Sequence, residues 1–162
     1  LRFNNKDHSN YYTLNKELHL NKLHNPHGNK IEEHYCRRWI TLEVLDKLKR
    51  KQVEQKENAN IIMAQRSSYI DSENEYLCLS IARSMYPTPN ANSSVTIGLL
   101  VNDKLKKNIA FLNDNKVLTK KVNATCERCR LTDCKERVVD ASIVVKKLKE
   151  EAIENEINDL LN

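Results

Sequence analysis

The residues with the most chemical promise lie close together, in the run Cys126-Glu127-Arg128-Cys129-Arg130-Leu131-Thr132-Asp133-Cys134. A C-x2-C step folds as a tight turn that can aim two sulfurs at one point. The longer step to Cys134 lets a loop deliver a third. Three thiolates from so short a segment suit a soft metal or an iron–sulfur cluster. They do not suit a disulfide, which pairs two and strands one. A fourth ligand must then come from elsewhere in the chain.

The candidate for that position is Cys36. From here the pattern turns helical: Trp39, Leu42, Leu45 and Leu48 recur at three-residue steps, Ile40 and Val44 widen the stripe, and Arg37, Glu43, Asp46, Lys47 and Arg50 take the other side. A thiol at the start of such a helix gains from the backbone N–H groups and the helix dipole. The alternative for Cys36 is a small buried residue at a helix start. Arg128, Arg130, Lys135 and Arg137 flank the three-cysteine segment, with Glu127, Asp133 and Glu136 interleaved. Their positive charge favours thiolates and offsets the negative charge of a thiolate-bound cluster. Structural zinc sites commonly use two C-x2-C knuckles, or one with a His pair. This chain has one knuckle, so the residues alone leave iron–sulfur, zinc and unmetallated thiols all open. His24 and His27 have ligand-like spacing but sit in the turn signal Asn25-Pro26-His27-Gly28-Asn29, which reads as loop surface.

The elements that must position these thiols follow from periodicity. Residues 1–33 form an arm that packs on the body through Tyr11, Tyr12, Leu14, Leu18, Leu20 and Leu23. After the Trp39 helix come three strand-like runs, 61–70, 75–85 and 95–101, separated by the turns at Asp71 to Asn74 and Tyr86 to Asn90. Short connections between them predict an antiparallel meander. Cys78, in mid-strand, reads as core. Asn102 or Asp103 caps a short helix over 104–112 with Leu105, Ile109 and Leu112 on its apolar side. A short strand near 117–122 leads into the cysteines. A last helix from Ser142 to Leu161 is expected to bury Val145, Leu148, Ala152, Ile153, Ile157 and Leu160 against the domain, with a second copy of the chain as the other candidate partner.

Composition bounds the rest. With 162 residues, 40% hydrophobic and 30% charged, the chain reads as one soluble globular domain. No apolar run approaches the roughly 20 residues of a membrane span. An odd set of five cysteines does not match a secreted disulfide scaffold and points to a reducing cytoplasm. The net charge of +5 is spread among acids, which reads as a solvated surface rather than a DNA-contact face. No nucleophile–base pair or paired carboxylate stands out, and two glycines leave little for a phosphate loop, so an enzyme is not expected. The start at Leu1 suggests an excised domain.

Three groups of residues together resemble a known family. They are His34-Tyr35-Cys36-Arg37-Arg38-Trp39, Ser80-Ile81-Ala82-Arg83, and Cys126-Glu127-Arg128-Cys129 with Asp133-Cys134 and Arg137. In this order they resemble the C-terminal region of bacterial XRE-family transcriptional regulators, in particular the short-chain fatty-acyl regulators, over about residues 31–137. Those relatives have proline after the first cysteine, where this chain has Arg37. The resemblance implies a sensory domain that binds an acyl-coenzyme A-like molecule and a four-iron four-sulfur cluster. Cys126, Cys129 and Cys134 would be cluster ligands, Cys36 the fourth, with Arg66 and Arg83 on the strands as candidate ligand contacts. It also implies DNA as a partner, through an upstream helix-turn-helix for which these 162 residues hold no helix pair.

The expectation is therefore an α/β (α+β) fold: an antiparallel sheet of GAF-like or PAS-like character flanked by helices, with a cysteine-rich loop and a long C-terminal helix. The arm spans 1–33, the core 34–122, and the cysteine-rich segment with the last helix 123–162. The function expected is ligand or redox sensing for a DNA-binding regulator. From another class stands a zinc-stabilised interaction module with no sensing role.

Overall fold

The structure is a computed structural model that describes residues 1–6, 10–18, 33–55, 60–70, 72–88 and 90–161. Leu20, Leu23, His24, the Asn25–Asn29 turn signal, Asp71 and Pro89 lie outside them. The chain divides into two compact units, Leu1–Asn25 with Arg38–Val122, and Pro26–Arg37 with Asn123–Asn162.

The first unit is a six-stranded mixed sheet under a helix. In chain order it has β1 (Arg2–Lys6), β2 (Thr13–Lys16), α1 (Ile40–Gln55), β3 (Ile61–Tyr69), β4 (Glu75–Ser84), β5 (Ala91–Leu100), α2 (Asp103–Asn108), a 3-10 turn (Ala110–Asn113) and β6 (Leu118–Val122). The sheet order is β2-β1-β5-β4-β3-β6. The meander β3–β4–β5 forms as its short turns predict. Two features differ from expectation. β6 runs parallel to β3, so the sheet is mixed rather than antiparallel. The N-terminal arm supplies two strands: β1 pairs with β5 along Arg2↔Val95 to Lys6↔Ala91, and β2 pairs with β1.

The predicted stripe is the core of this unit. Trp39, Ile40, Leu42, Val44, Leu45 and Leu48 are all buried. Phe3 of β1 is fully buried and meets the Trp39 ring edge to face at 6.1 Å. Of the expected arm anchors Tyr12 is buried, whereas Tyr11 and Leu18 are exposed. The sheet face under α1 is unusually polar, and its hydroxyls and amides are matched in pairs. Thr41 meets Ser94 at 2.8 Å and Ser80 meets Thr96 at 2.7 Å. Gln52 and Asn92 exchange reciprocal amide bonds at 3.0 and 2.8 Å. Gln65 donates to the Arg38 carbonyl and to Ser67, both at 3.0 Å. Cys78 is half-buried on this face, and burial pushes its thiol up, against the opposing pull of a hydrogen bond with Ser67.

The opposite sheet face carries the odd-numbered residues of β4 and β5 and the even-numbered residues of β3. Ile62, Ile81 and Val95 stand in one row across three strands, and all three are exposed, as is Ile97. Part of this face is covered. Asn102 caps α2 by accepting the Leu105 N–H at 2.9 Å, and Leu112 in the following turn is buried. The expected single helix over 104–112 is thus a short α-helix continued by a 3-10 turn, and Leu105 and Ile109 are not buried.

One carboxylate couples this unit to pH. Glu43 of α1 pairs with Lys120 of β6 at 2.6 Å and with Lys47 at 3.1 Å. Burial pushes the Glu43 carboxyl up, but the hydrogen bonds and charges of Lys120 and Lys47 outweigh it and hold the group below the usual carboxylate range. A carboxyl lowered by folding contributes stability above its unfolded pKa, and loses it as pH falls through the folded value. Glu43→Gln is therefore expected to flatten the acid limb of the stability curve. Urea midpoints from pH 6 to pH 3 check this: the wild type should fall further than the variant, and parallel curves would contradict the assignment.

Candidate metal centre

The second unit is built on a two-segment ribbon. Tyr35 and Thr125 form an antiparallel bridge. Around it, the Cys36 N–H donates to the Ala124 carbonyl at 3.1 Å and the Cys126 N–H donates to the His34 carbonyl at 2.9 Å. Side chains alternate along paired strands, so Cys36 and Cys126 point from the same face of the ribbon. Cys36 is thus not at a helix N-terminus: α1 begins only at Ile40, and Cys36 is in extended, paired backbone. The chain prefers the ribbon here because side chains fasten its end beyond the bridge, where residues 33–34 face 127–128.

Those fasteners are complementary charges. Glu33 takes a bidentate bond from Arg128, 2.7 Å at each oxygen, and also accepts from Thr125 at 2.9 Å. Glu127, buried, accepts the His34 backbone N–H at 3.0 and 3.1 Å and approaches the His34 Nδ1 at 2.7 Å. Glu33-His34 thus reads against Glu127-Arg128 in antiparallel order. Sequence reasoning treated Glu127 as an interleaved acid and passed over Glu33; the opposed dipeptides on either side of the two cysteines were the available signal.

Downstream, the loop is wound around one cation. The Cys129 N–H closes a turn onto the Cys126 carbonyl at 3.2 Å. Arg137 donates to the carbonyls of Cys126 at 2.8 Å, Cys129 at 2.9 Å, Leu131 at 2.5 Å and Val139 at 3.4 Å. Five donors in a fixed fork can satisfy several carbonyls at once, which an ammonium cannot do in this geometry. Of the four cations expected beside the thiols, Arg128 is therefore engaged by Glu33 and Arg137 by the backbone.

Cys36, Cys126, Cys129 and Cys134 all belong to this unit, and Cys78 does not. The first three are buried; Cys134 is half-buried and its thiol donates to Glu136 at 3.7 Å. No disulfide forms among the five. Four thiols, three of them withdrawn from water, are a donor set that fits a soft metal or an iron–sulfur cluster. Their side chains are not gathered around one point: among the described residues no group of three or more His, Cys, Asp or Glu is arranged to hold a metal ion.

The two candidate ligand-contact arginines are in the other unit. Arg66 of β3 is held by both carboxylate oxygens of Glu75 and reaches Asn113 at 3.3 Å. Glu75 pushes the Arg66 guanidinium further up, against the effect of burial. Arg83 of β4 is exposed, on the same face as Ile81. Among the described residues no helix is long and apolar enough to cross a membrane. Compared with protein-family models, curated proteins and solved structures, the chain matches none of them.

Proposed function

We propose that this chain is the sensory domain of a DNA-binding transcriptional regulator, in which Cys36, Cys126, Cys129 and Cys134 are the ligands of an iron–sulfur cluster. The observation that carries the reading is the ribbon: it brings the sequence-distant Cys36 into one compact unit with the three-cysteine loop, on the same ribbon face as Cys126. A bound cluster supplies an oxygen- and redox-sensitive centre. The residues of the chain set the frame for it. Glu33–Arg128 and His34–Glu127 fix the two ribbon strands, and Arg137 ties the loop. The ribbon strand 34–36 continues directly into Arg38 and α1, so a change in its pairing is passed along the backbone to the sheet unit. An acyl-coenzyme A-like ligand would find apolar surface on the exposed sheet face, with Arg83 at its rim.

Purification without oxygen followed by metal analysis and an absorption spectrum tests the reading. Brown protein with about four iron per chain is expected, with iron reduced alike in Cys36→Ala and Cys129→Ala and unchanged in Cys78→Ala. Colourless anaerobic protein, or full iron retention by Cys36→Ala, overturns it. A single zinc that chelator removes with unfolding favours the interaction module instead.

A further inference from the structure

The helix α3 (Ser142–Leu161) forms over the predicted residues, but none of its residues is buried. Val145, Leu148, Ile153, Ile157 and Leu160, expected against the domain, are each about half exposed or more. Twenty residues of helix, about 30 Å at 1.5 Å per residue, thus present apolar side chains none of which is buried.

The charges of this helix say what fits it. Its three bases, Lys146, Lys147 and Lys149, all precede its five acids, Glu150, Glu151, Glu154, Glu156 and Asp159. This is the wrong polarity for a helix alone. The helix dipole favours acids in the first turn and bases in the last, and α3 has neither. Its internal pairs, Lys146–Glu150 at 3.7 Å and Lys147–Glu151 at 3.6 Å, also run in the weaker order, with the base N-terminal to the acid. An identical helix laid alongside in the opposite direction compensates for this polarity. Its acidic half lies along the basic half, and the two dipoles oppose. In the register that sets Val145 opposite Leu160, Leu148 opposite Ile157 and Ala152 opposite Ile153, Lys149 lies opposite Glu156, and the apolar residues of each helix gain a cover. A parallel pairing instead sets like charges together.

We infer that α3 is a homodimerisation helix, pairing antiparallel with α3 of a second copy of this chain. The surface is independent of the thiol site, so its test stands whatever metal that site holds. Sedimentation equilibrium of the intact chain is expected to give a dimer at 50 mM salt, with a dissociation constant that rises at least tenfold at 500 mM as the opposed charges are screened. Changing Lys146, Lys147 and Lys149 together to Glu gives an all-acidic helix; changing Glu150, Glu151, Glu154 and Glu156 together to Lys gives a nearly all-basic one. Each variant alone should be monomeric, and their equimolar mixture should form a one-to-one heterodimer, which a misfolded helix could not do. Ile97→Glu, on the exposed sheet face, should leave the dimer intact. A monomeric wild type at about 100 μM, dimers that tighten with salt, charge variants that stay dimeric, a mixture that stays monomeric, or loss of the dimer in Ile97→Glu would each overturn the inference.

Discussion

Arg137→Ala is expected to loosen the cysteine loop by about 3 kcal/mol, because charged hydrogen bonds to carbonyls contribute roughly 1.5–3 kcal/mol each and are not additive. Arg137 is the common donor to the carbonyls of Cys126, Cys129 and Leu131, and so ties three points of the loop together. Half-exposure of the side chain lowers the figure below a simple sum. The carbonyls left behind can turn to water, so the loss appears as local opening rather than global unfolding. Hydrogen exchange measures it directly. Amide protection over residues 126–137 should fall by two orders of magnitude or so, the factor that 3 kcal/mol implies, while protection in β3–β5 stays unchanged. Arg137→Lys keeps the charge but not the fork, and should recover only part of the protection. Equal protection in the wild type and Arg137→Ala would show that the loop is held by other means.

Phe3→Ala should have the largest effect on global stability, about 3–5 kcal/mol, as for other fully buried aromatic rings cut to alanine. Phe3 has no exposed surface and packs against Trp39, the single tryptophan of the chain. The same variant therefore carries its own probe. Urea unfolding followed by tryptophan fluorescence should show a lower midpoint, and the emission of the folded state should shift as the Trp39 ring loses its edge-to-face neighbour. A midpoint shift worth under 1 kcal/mol would mean that β1 is dispensable to the unit.

Much of the sheet unit was legible because its signals are local. The Trp39–Leu48 stripe needs only the 3.6-residue period, and the β3–β4–β5 meander needs only alternation and short turns. β1 was not legible. Arg2-Phe3-Asn4-Asn5-Lys6 has one apolar residue, and it becomes a strand because β5 offers it an edge. The parallel pairing of β6 was hidden for the same reason, since Leu118–Val122 shows no sign of which strand it will join or in which direction. The three-cysteine segment announced itself by spacing, whereas the setting of Cys36 did not. The helical pattern after it suggested a helix start, and the ribbon that in fact holds it depends on Ala124 and Thr125, far along the chain. The bounds of α3 were legible and its exposure was not, because a period shows that a face exists without showing what covers it.

The two units are interleaved in sequence, and this orders their appearance during synthesis. Residues 33–37 leave the ribosome after β1 and β2 but before the other four strands, and Ala124, Glu127 and Arg128, which fasten them, come after the last of these. Helix α1 and the meander can therefore assemble on the nascent chain while Cys36 is still waiting for the backbone that will receive its N–H. Closing that long span late costs little extra entropy, since the penalty grows only with the logarithm of loop length. The delay has a chemical side: for that interval the thiol of Cys36 is open to oxidants and metals in the cell, and the burial seen in the finished ribbon begins only when synthesis has passed Arg128.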